Sequence, residues 1–459
     1  MIFKRFKPNK PVDTDCGAFG PKRARRLPSI GVKRGYVMGV LVALSTLNQL
    51  DRQLMTVLLE PIRHEFSLSD VQLGLLSGMT FAIVYAGLSI PAAIWAVHHN
   101  RRNLIAATAL VWGSTTILFG GALTFWQLLL GRIGTGIGEA GAMPASHSII
   151  SDLYQPHERG GAMAAWSAGI NLGVFIAFLF GGVIGARYGW RTAFFAAGLC
   201  TVAAALLTRL TVAEPRRNLD ARSAALRTAP SLSLLRAAFA AMWSDVVPRH
   251  VVAGATITSV VGYGALAWAP SYLFRAHGLT VAQAGIYLAV VIGLGGAAAN
   301  YGFGRLSDRV GRHRIWWSLG IVGAAYIAAK PFSLVFYLSE DTSLALAAFV
   351  LPAMTGLLYL GPSIAVLHNR IPEALRPGAS AIFLLLTNLV GLGLGPLLVG
   401  MMSQWLYAGT DNPLGYALAT LQIAGLWGGL HFIIAGRRLA DGRDSTGSRQ
   451  PVSRLNIPQ

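Results

Sequence analysis

Residues 132–140 read Arg-Ile-Gly-Thr-Gly-Ile-Gly-Glu-Ala and lie inside an apolar stretch, 126–151, that is long enough to cross a bilayer. Arg132 and Glu139 carry charge. A charge at membrane depth costs roughly 2.5–3.5 kcal/mol on insertion scales, so it usually faces a bundle interior or a water-filled path. Because the two residues are seven apart, on a helix they point the same way within ~20° and lie ~10 Å apart along the axis. The stretch therefore predicts a membrane helix with a charged inner face.

A second charged stretch, 36–58, contains Asp51 and Arg52. Adjacent residues on a helix point ~100° apart, so these two cannot both face one partner. Helix depths place Asp51 close to Arg132 in the membrane, and we expect the two to face each other with Glu139 deeper along the path. Asp51 and Glu139 are the candidate proton-coupling residues, because burial and a neighbouring arginine have opposite effects on a carboxylate. A permanent ion pair that only fixes helix packing is the alternative.

The composition predicts that most of the chain lies in the membrane. Of 459 residues, 54% are hydrophobic and only 12% are charged, whereas soluble domains carry about 25% charged residues. A membrane helix needs about 20 apolar residues, and twelve such stretches are present without strand-like alternation. The predicted fold is an all-α membrane protein with twelve transmembrane helices. The stretches, called spans one to twelve, are 36–58, 71–97, 103–125, 126–151, 160–186, 191–211, 249–274, 281–306, 314–337, 343–369, 377–402 and 414–436.

The net charge of +19 is unevenly distributed. If the N-terminus is cytoplasmic, most Lys and Arg residues fall in cytoplasmic tails and loops, as the positive-inside bias requires. This pattern places both termini in the cytoplasm of a bacterial inner-membrane protein and argues against nucleic acid as a partner. Residues 1–35 lack an apolar signal-peptide core. Cys16 and Cys200 lie in different contexts, so neither a disulfide nor a metal site is expected, and no cofactor motif is present.

Two halves of six spans each flank a basic segment, which indicates an internal duplication. Gly285 aligns with Gly74 at a shift of 211, and Asn388 aligns with Asn171 at a shift of 217. We therefore expect two six-helix bundles related by a pseudo-two-fold axis. The predicted units are a basic tail, 1–35; an N-terminal bundle, 36–211; a cytoplasmic linker loop, 212–248; a C-terminal bundle, 249–436; and a polar tail, 437–459.

Residues 304–312, Gly-Arg-Leu-Ser-Asp-Arg-Val-Gly-Arg, join spans eight and nine. The pattern G-x-L-x-D-R-x-G-R resembles the cytoplasmic loop motif of the major facilitator superfamily, a resemblance that extends over the whole chain. In the first-half copy, Val97 and His98 stand where the motif has Asp and Arg. Either that copy stabilises the closed cytoplasmic gate less well, or other residues compensate. The candidate gating residues are Gly304, Asp308, Arg309, Arg312, Arg101 and Arg102.

Span four fits the superfamily pattern R-x-x-x-G-x-G-x-A. Its Glu139-Ala140 ending and the Leu50-Asp51-Arg52 run resemble the Spinster-like branch, bacterial type. Human members of that branch export sphingosine-1-phosphate or lysophospholipids, so the resemblance implies an amphipathic anionic or lysolipid substrate. An Asp-Arg-Gln run after a first-span Leu also occurs in organic-anion/proton symporters, which keeps a small carboxylate as the alternative substrate.

The second half offers polar rather than charged groups for a central cavity. Tyr263 in span seven, Tyr359 in span ten and Asn388 in span eleven are the candidate substrate-binding residues there, together with Arg52 and Arg132 in the first half. A charged wall opposite an apolar wall suits an amphipathic anion. Lys330 in span nine is expected to extend its amine towards the membrane surface.

The sequence thus predicts a secondary transporter driven by protons that works by alternating access. Its expected partners are the lipid bilayer, an anionic or amphipathic small molecule and protons, and we expect a monomer. A receptor on the same fold that does not transport is a second hypothesis. An enzyme is not expected, because no nucleotide-binding or catalytic motif stands out.

Overall fold

The structure is a computed structural model that describes residues 34–214, 232–311 and 315–444. Within these ranges the chain forms helices and short connections and contains no strand. The prediction of an all-helical fold with twelve spans is confirmed. The observed spans are Arg34–Val57; 70–98; Arg101–Gly120; Phe125–Glu139 with Ala142–Leu153; Arg159–Tyr188; Trp190–Thr211; Val246–His277; 281–311; Ile315–Leu338; Thr342–Met354 with Leu360–Arg370; 376–406; and Pro413–Asp444.

Among the described residues, nine segments are long and apolar enough to cross a membrane without interruption. The three remaining spans are one, four and ten. Span one carries Asp51 and Arg52, which lower its hydropathy, while spans four and ten are each broken into two helices. Charges and broken helices at membrane depth are tolerated where they line a cavity or are buried in protein. These three spans are therefore the ones most adapted to a polar interior.

The breaks in spans four and ten lie at equivalent places in the two halves. Pro144 and Pro362 are each the third residue of the helix that follows the break. A proline has no N–H to donate and its ring collides with the carbonyl four residues earlier, at Ala140 and Leu358 respectively, so the preceding helix cannot continue. Both spans are predicted from the sequence as continuous stretches, and the breaks at these prolines, 218 positions apart, correct that prediction.

The two halves meet near one end of the bundle. We call the end that carries the Arg34–Glu158 ion pair the terminal face and the other end the opposite face. A Cβ on Gly74 in span two would lie 2.8 Å from the Leu397 Cα in span eleven, and one on Gly182 in span five 3.1 Å from the Gly285 Cα in span eight. Gly74 and Gly285 are the aligned glycines of the internal repeat. They let helices of different halves approach closely towards the opposite face.

Span five packs on span one through glycines. A Cβ on Gly169 would collide with the Ser45 hydroxyl, and one on Gly173 with the Thr46 carbonyl. The close approach brings the charged turn of span one against the first-half core, where Trp166 and Leu44 are buried.

Two predicted boundaries differ from the structure. The segment 212–248 was expected to be a loop, but Leu232–Ser244 is a helix, which we call the linker helix. Span three ends at Gly120 rather than near residue 125, because Thr124 caps the next helix by accepting a hydrogen bond from the Gln127 N–H. The predicted tails, up to residue 33 and from residue 445, lie outside the described residues.

The expectation that Lys330 reaches the membrane surface is wrong. Its side chain is 7% exposed, and its amine donates a 2.8 Å hydrogen bond to Oε1 of Gln422 in span twelve. Gly425 leaves the space for the lysine, since a Cβ there would lie 2.5 Å from the Lys330 Cε. A polar pair between spans nine and twelve therefore replaces contact with the surface.

We expect the Lys330–Gln422 pair to show strong non-additivity in stability. Gln422→Leu leaves a buried amine without its acceptor and should be the least stable variant, while Lys330→Met leaves only a neutral amide unpaired, at a cost of about 1–3 kcal/mol. The double variant removes both polar groups and should be at least as stable as the wild type. Thermal unfolding in detergent measures all four proteins. Effects that simply add would show that the two side chains do not depend on each other.

Candidate transport site

Asp51 and Arg132 form a buried pair between spans one and four. Arg132 Nη1 lies 3.9 Å from Asp51 Oδ2, and each side chain is 3% exposed. The Thr116 hydroxyl donates a 2.6 Å hydrogen bond to Asp51 Oδ1, and Arg132 Nε donates to the Leu76 carbonyl at 3.2 Å. The structure thus places Asp51 opposite Arg132, as the helix geometry predicted.

Arg52 forms a second pair, with Glu139. Its Nε lies 2.6 Å from Glu139 Oε2, and the guanidinium stacks over Phe81 and Tyr85 at 4.7 and 4.6 Å from the ring centres. The Glu139 side chain is fully buried, whereas that of Arg52 is 19% exposed. Arg52 is therefore the more exposed of the two arginines in the cluster.

The two carboxylates are incompletely hydrogen-bonded. Among the described residues, neither Asp51 Oδ2 nor Glu139 Oε1 accepts a hydrogen bond, although both atoms are buried. A buried charged oxygen without a donor is unfavourable, and a proton on it removes that penalty. The arrangement can therefore hold a carboxylate paired to an arginine or a protonated carboxyl group released from it.

Arg132 is less available than the sequence suggested. Besides its two polar contacts, its guanidinium lies 5.1 Å from the Phe81 ring centre, and the residue is 3% exposed. In this conformation Arg132 is buried against Asp51, Leu76 and Phe81. Of the two arginines expected to bind the substrate head group, Arg52 is therefore the better candidate.

The second half contributes Tyr263 and Asn388 to the same region. The Tyr263 hydroxyl lies 3.5 Å from Asn388 Oδ1, and the Asn388 amide donates to the Leu384 carbonyl at 2.8 Å. Both side chains are half-buried. Tyr263 also lies close enough to Arg52 to interact with it electrostatically, so the polar groups of the two halves face each other across the middle of the bundle.

Tyr359 lies elsewhere. It is 3% exposed and packs against Tyr326 and Phe432 in the core of the second half. Tyr359 is the last residue of the break in span ten, which comprises residues 355–359. Tyr359 is therefore a packing residue in this conformation, and its buried side chain is not placed to contact a substrate.

Arg101, a predicted gating residue, is held entirely within the first half. It is 1% exposed, and its guanidinium contacts Asp152 at 2.5 Å and Glu214 at 2.9 Å. Arg102 donates its backbone N–H to Glu214 as well. Asp152 and Glu214 thus supply acids next to these arginines, which supports compensation for the acid that the motif lacks at position 97.

The second-half copy of the loop motif is described only in part. Gly304 has open space around the position of a Cβ, and Arg309 is exposed. The side chain of Asp308 and all of Arg312 lie outside the described residues. Their gating role therefore stays a prediction.

A second ionic cluster, which the sequence pattern does not predict, joins the two halves at the opposite face. Arg275, at the end of span seven, contacts Glu60 at 2.6 Å and Asp70 at 2.9 Å, and Asp70 also accepts a 2.7 Å hydrogen bond from Ser403. Arg63 adds a second base, 3.7 Å from Glu60. These residues lie near span ends, where charged residues are common. Their sequence positions therefore do not reveal that they join the two halves, which is seen only from their contacts.

The loop and fourth-span motifs, the repeated halves and the central charge cluster agree with a sequence comparison in which residues 41–396 match the profile of the Major Facilitator Superfamily. The chain belongs to the major facilitator superfamily. As in other members of that superfamily, the protein is a membrane transporter by fold and ancestry, and not an enzyme.

Individual relatives refine the position within the superfamily. An efflux pump of Mycolicibacterium smegmatis is 33% identical, covering 91% of this chain and 94% of that protein. A Cupriavidus necator protein named as a sulfoacetate transporter is 29% identical over 60% of this chain and 65% of that protein. A solved bacterial homologue of the human lysosomal transporter Spinster, inward-facing and unoccupied, superimposes with a TM-score of 0.73 at 29% identity, covering 92% of this chain and 99% of that one. This transporter is therefore Spinster-like.

Proposed function

We propose that this transporter moves an amphipathic organic anion, of the lysophospholipid or sphingosine-1-phosphate type, and couples that movement to protons. The observation that carries the proposal is the Arg52–Glu139 pair, in which a reachable cation is bound to a buried acid. An anionic head group that binds Arg52 competes with Glu139 for the same guanidinium. The acid that loses its partner is buried, and protonation then becomes favourable.

This competition predicts the sign of the coupling. The bound anion favours the protonated form of Glu139, and by linkage the proton favours binding of the anion. Asp51, paired with Arg132 at 3.9 Å and also lacking one hydrogen bond, provides a second protonatable group next in sequence to Arg52, the partner of Glu139. Both acids lie in the first half, so protonation changes the charge of one wall of the cavity only.

The opposite wall suits the apolar part of the substrate. Tyr263 and Asn388 supply polar groups together with nearby Thr and Ser side chains, and most other residues of spans seven and eleven near them are Ala, Val, Leu and Gly. The Tyr263 ring offers an apolar face with one hydroxyl. A substrate with a charged head and an apolar chain would use both walls, and its binding would draw the halves together.

A small organic anion is the second candidate substrate. The similarity to a protein named as a sulfoacetate transporter favours it, and Arg52 could receive a sulfonate or carboxylate group as well as a phosphate. In that case the apolar wall would contribute little to affinity.

We further propose that the terminal face is cytoplasmic and that the protein works as a monomer in a bacterial inner membrane. The basic residues of the tails and linker support that orientation through the positive-inside bias. With this orientation the contacts between the halves close the external side, so the described conformation is inward-facing. Asp308, Arg309 and Arg312, together with Arg101 and Arg102, would then act in the alternate, outward-facing conformation.

Transport in proteoliposomes tests the proposal. The purified protein would be offered fluorescent lysophosphatidic acid, sphingosine-1-phosphate or sulfoacetate, with and without an imposed pH gradient. We expect movement of a lysolipid that the gradient accelerates and that Arg52→Gln abolishes. Transport of sulfoacetate alone would favour the second candidate, and transport of a lysolipid unaffected by the gradient would contradict proton coupling.

Glu139→Gln should remove the pH dependence of anion binding. A glutamine mimics the protonated acid, so the variant should bind the anion at neutral pH as tightly as the wild type does at acidic pH. Binding of the transported anion would be measured between acidic and alkaline pH. Glu158→Gln, which removes a half-buried acid from the turn after span four, is the matched control. An unchanged pH profile in the Glu139 variant would leave Glu139 as a packing residue.

A further inference from the structure

The linker helix, Leu232–Ser244, has one side buried against the second half. Ala238 and Met242 are 0% and 3% exposed. Ala238 packs on Gly378 at the start of span eleven, where an added Cβ would lie 3.0 Å from the alanine methyl group. Just beyond the helix, Asp245 pairs with Arg370 at the end of span ten at 2.7 Å. The linker helix is thus attached to spans ten and eleven at the terminal face.

Its other side presents two large aromatic rings to the surroundings. Phe239 and Trp243, one turn apart, are 50% and 58% exposed, and their rings stack with centres 5.5 Å apart. Arg236 lies one turn earlier on the same exposed side. Half or more of each residue is exposed, so this aromatic pair lies outside the protein core.

The position of the helix puts this side at the membrane boundary. Asp245 caps span seven by accepting a hydrogen bond from the Val247 N–H, and Val246, the first residue of that span, is 39% exposed. Trp243 therefore lies only three residues before the helix of span seven begins. Aromatic rings are enriched at this level, and an amphipathic helix with basic residues on its polar edge lies in the plane of the interface.

The charge of the neighbouring sequence matches an anionic lipid surface. Residues 215–231, which precede the helix, contain four arginines and one aspartate. Basic residues next to a membrane are attracted to its anionic lipids, and the attraction falls off within a Debye length. Arg236 continues this basic sequence onto the exposed side of the helix itself.

We propose that the exposed side of the linker helix binds anionic phospholipid, with Phe239 and Trp243 inserted between the acyl chains and Arg236 paired with lipid phosphate. Because the buried side is attached to spans ten and eleven, and Asp245 caps span seven, this contact holds the terminal end of the second half at the level of the bilayer surface. The inference requires a membrane protein only and does not depend on the substrate or on proton coupling.

Site-directed fluorescence quenching tests the lipid contact. The full-length protein with Cys16 and Cys200 replaced by serine would carry a bimane label at Ala240→Cys, on the exposed side of the linker helix. It would be placed in nanodiscs of phosphatidylcholine with or without phosphatidylglycerol. Lipids with a spin label on the acyl chain report burial in the membrane, and iodide reports exposure to water. We expect strong quenching by the lipids and weak quenching by iodide, with spin-labelled phosphatidylglycerol more effective than spin-labelled phosphatidylcholine.

Two reference sites and two variants complete the test. Leu430→Cys, on an exposed apolar position of span twelve, gives the signal of a lipid-facing site, and His157→Cys, in an exposed turn at the terminal face, gives that of a water-facing site. Arg236→Glu should reduce the preference for phosphatidylglycerol about fivefold, whereas Arg236→Lys should keep it. A label at position 240 that behaves like the one at 157 would overturn the proposal. So would protection from both quenchers together with a dimer in photobleaching counts, because a second copy would then cover the helix.

Discussion

Asp51→Asn is expected to abolish transport driven by a pH gradient while leaving the protein folded. Asparagine keeps the size of the side chain and can still accept the hydrogen bond from Thr116, which now reaches Asp51 at 2.6 Å. It cannot carry the negative charge that faces Arg132 at 3.9 Å, nor exchange a proton. Transport driven by the pH gradient should fall more in this variant than after replacement of any other acid in the spans except Glu139. Asp51 and Glu139 are both buried and each is paired with an arginine.

The measurement compares two modes of transport in the same proteoliposomes. Exchange of labelled for unlabelled substrate at equal concentrations on both sides requires only binding and alternating access. Accumulation of substrate against its gradient also requires coupling to protons. We expect Asp51→Asn to retain exchange and lose accumulation, and Thr116→Val to retain both with an altered pH dependence. Normal accumulation by the asparagine variant would show that Asp51 serves packing alone.

Arg275→Gln is expected to shift the protein away from the conformation described here. Arg275 of the second half contacts both Glu60 and Asp70 of the first half, and Glu60 is 3% exposed. Removal of one partner from a buried, hydrogen-bonded charge pair costs about 2 kcal/mol or more. That cost arises only while the halves are closed at the opposite face, so the population of that conformation should fall about 30-fold relative to the alternate one.

Distances between spin labels would report the shift. In the cysteine-free protein, the distance between labels at Leu123 and Thr410 reports the separation of the halves at the opposite face. The distance between labels at His157 and Glu373 reports it at the terminal face. The first pair should move apart and the second should approach. Arg191→Gln is the matched control, because Arg191 pairs with Glu65 at the same face but within the first half. Equal distances in the Arg275 variant and the wild type would mean that the cluster does not hold the halves together.

Features that depend on local sequence were predictable. Twelve apolar stretches became twelve spans because backbone groups in a bilayer must bond within their own helix, and length then decides which segments cross. The angle between neighbouring residues on a helix also predicted that Asp51 and Arg52 need different partners, and the structure supplies Arg132 to one and Glu139 to the other.

The breaks in spans four and ten occur at prolines, which are visible in the sequence but do not by themselves predict that a helix ends. Pro144 and Pro362 interrupt the hydrogen bonding of their helices at equivalent places. In a membrane helix a proline is often tolerated with only a bend, because neighbouring helices satisfy the freed groups. The residue alone therefore does not say whether the helix continues.

The amino-acid sequence alone predicts the number of spans, the internal repeat, the superfamily motifs and the depth of the four central charges, since each follows from apolarity, spacing or helix geometry. The packed structure is needed to show that Arg52 binds Glu139, that Tyr359 is buried, that Lys330 bonds to Gln422 and that Arg275 joins the two halves. These facts depend on how each helix is rotated and which helix lies beside it. Partners far apart in the chain, such as Asp70 and Ser403, 333 residues apart, meet only once the bundle has packed.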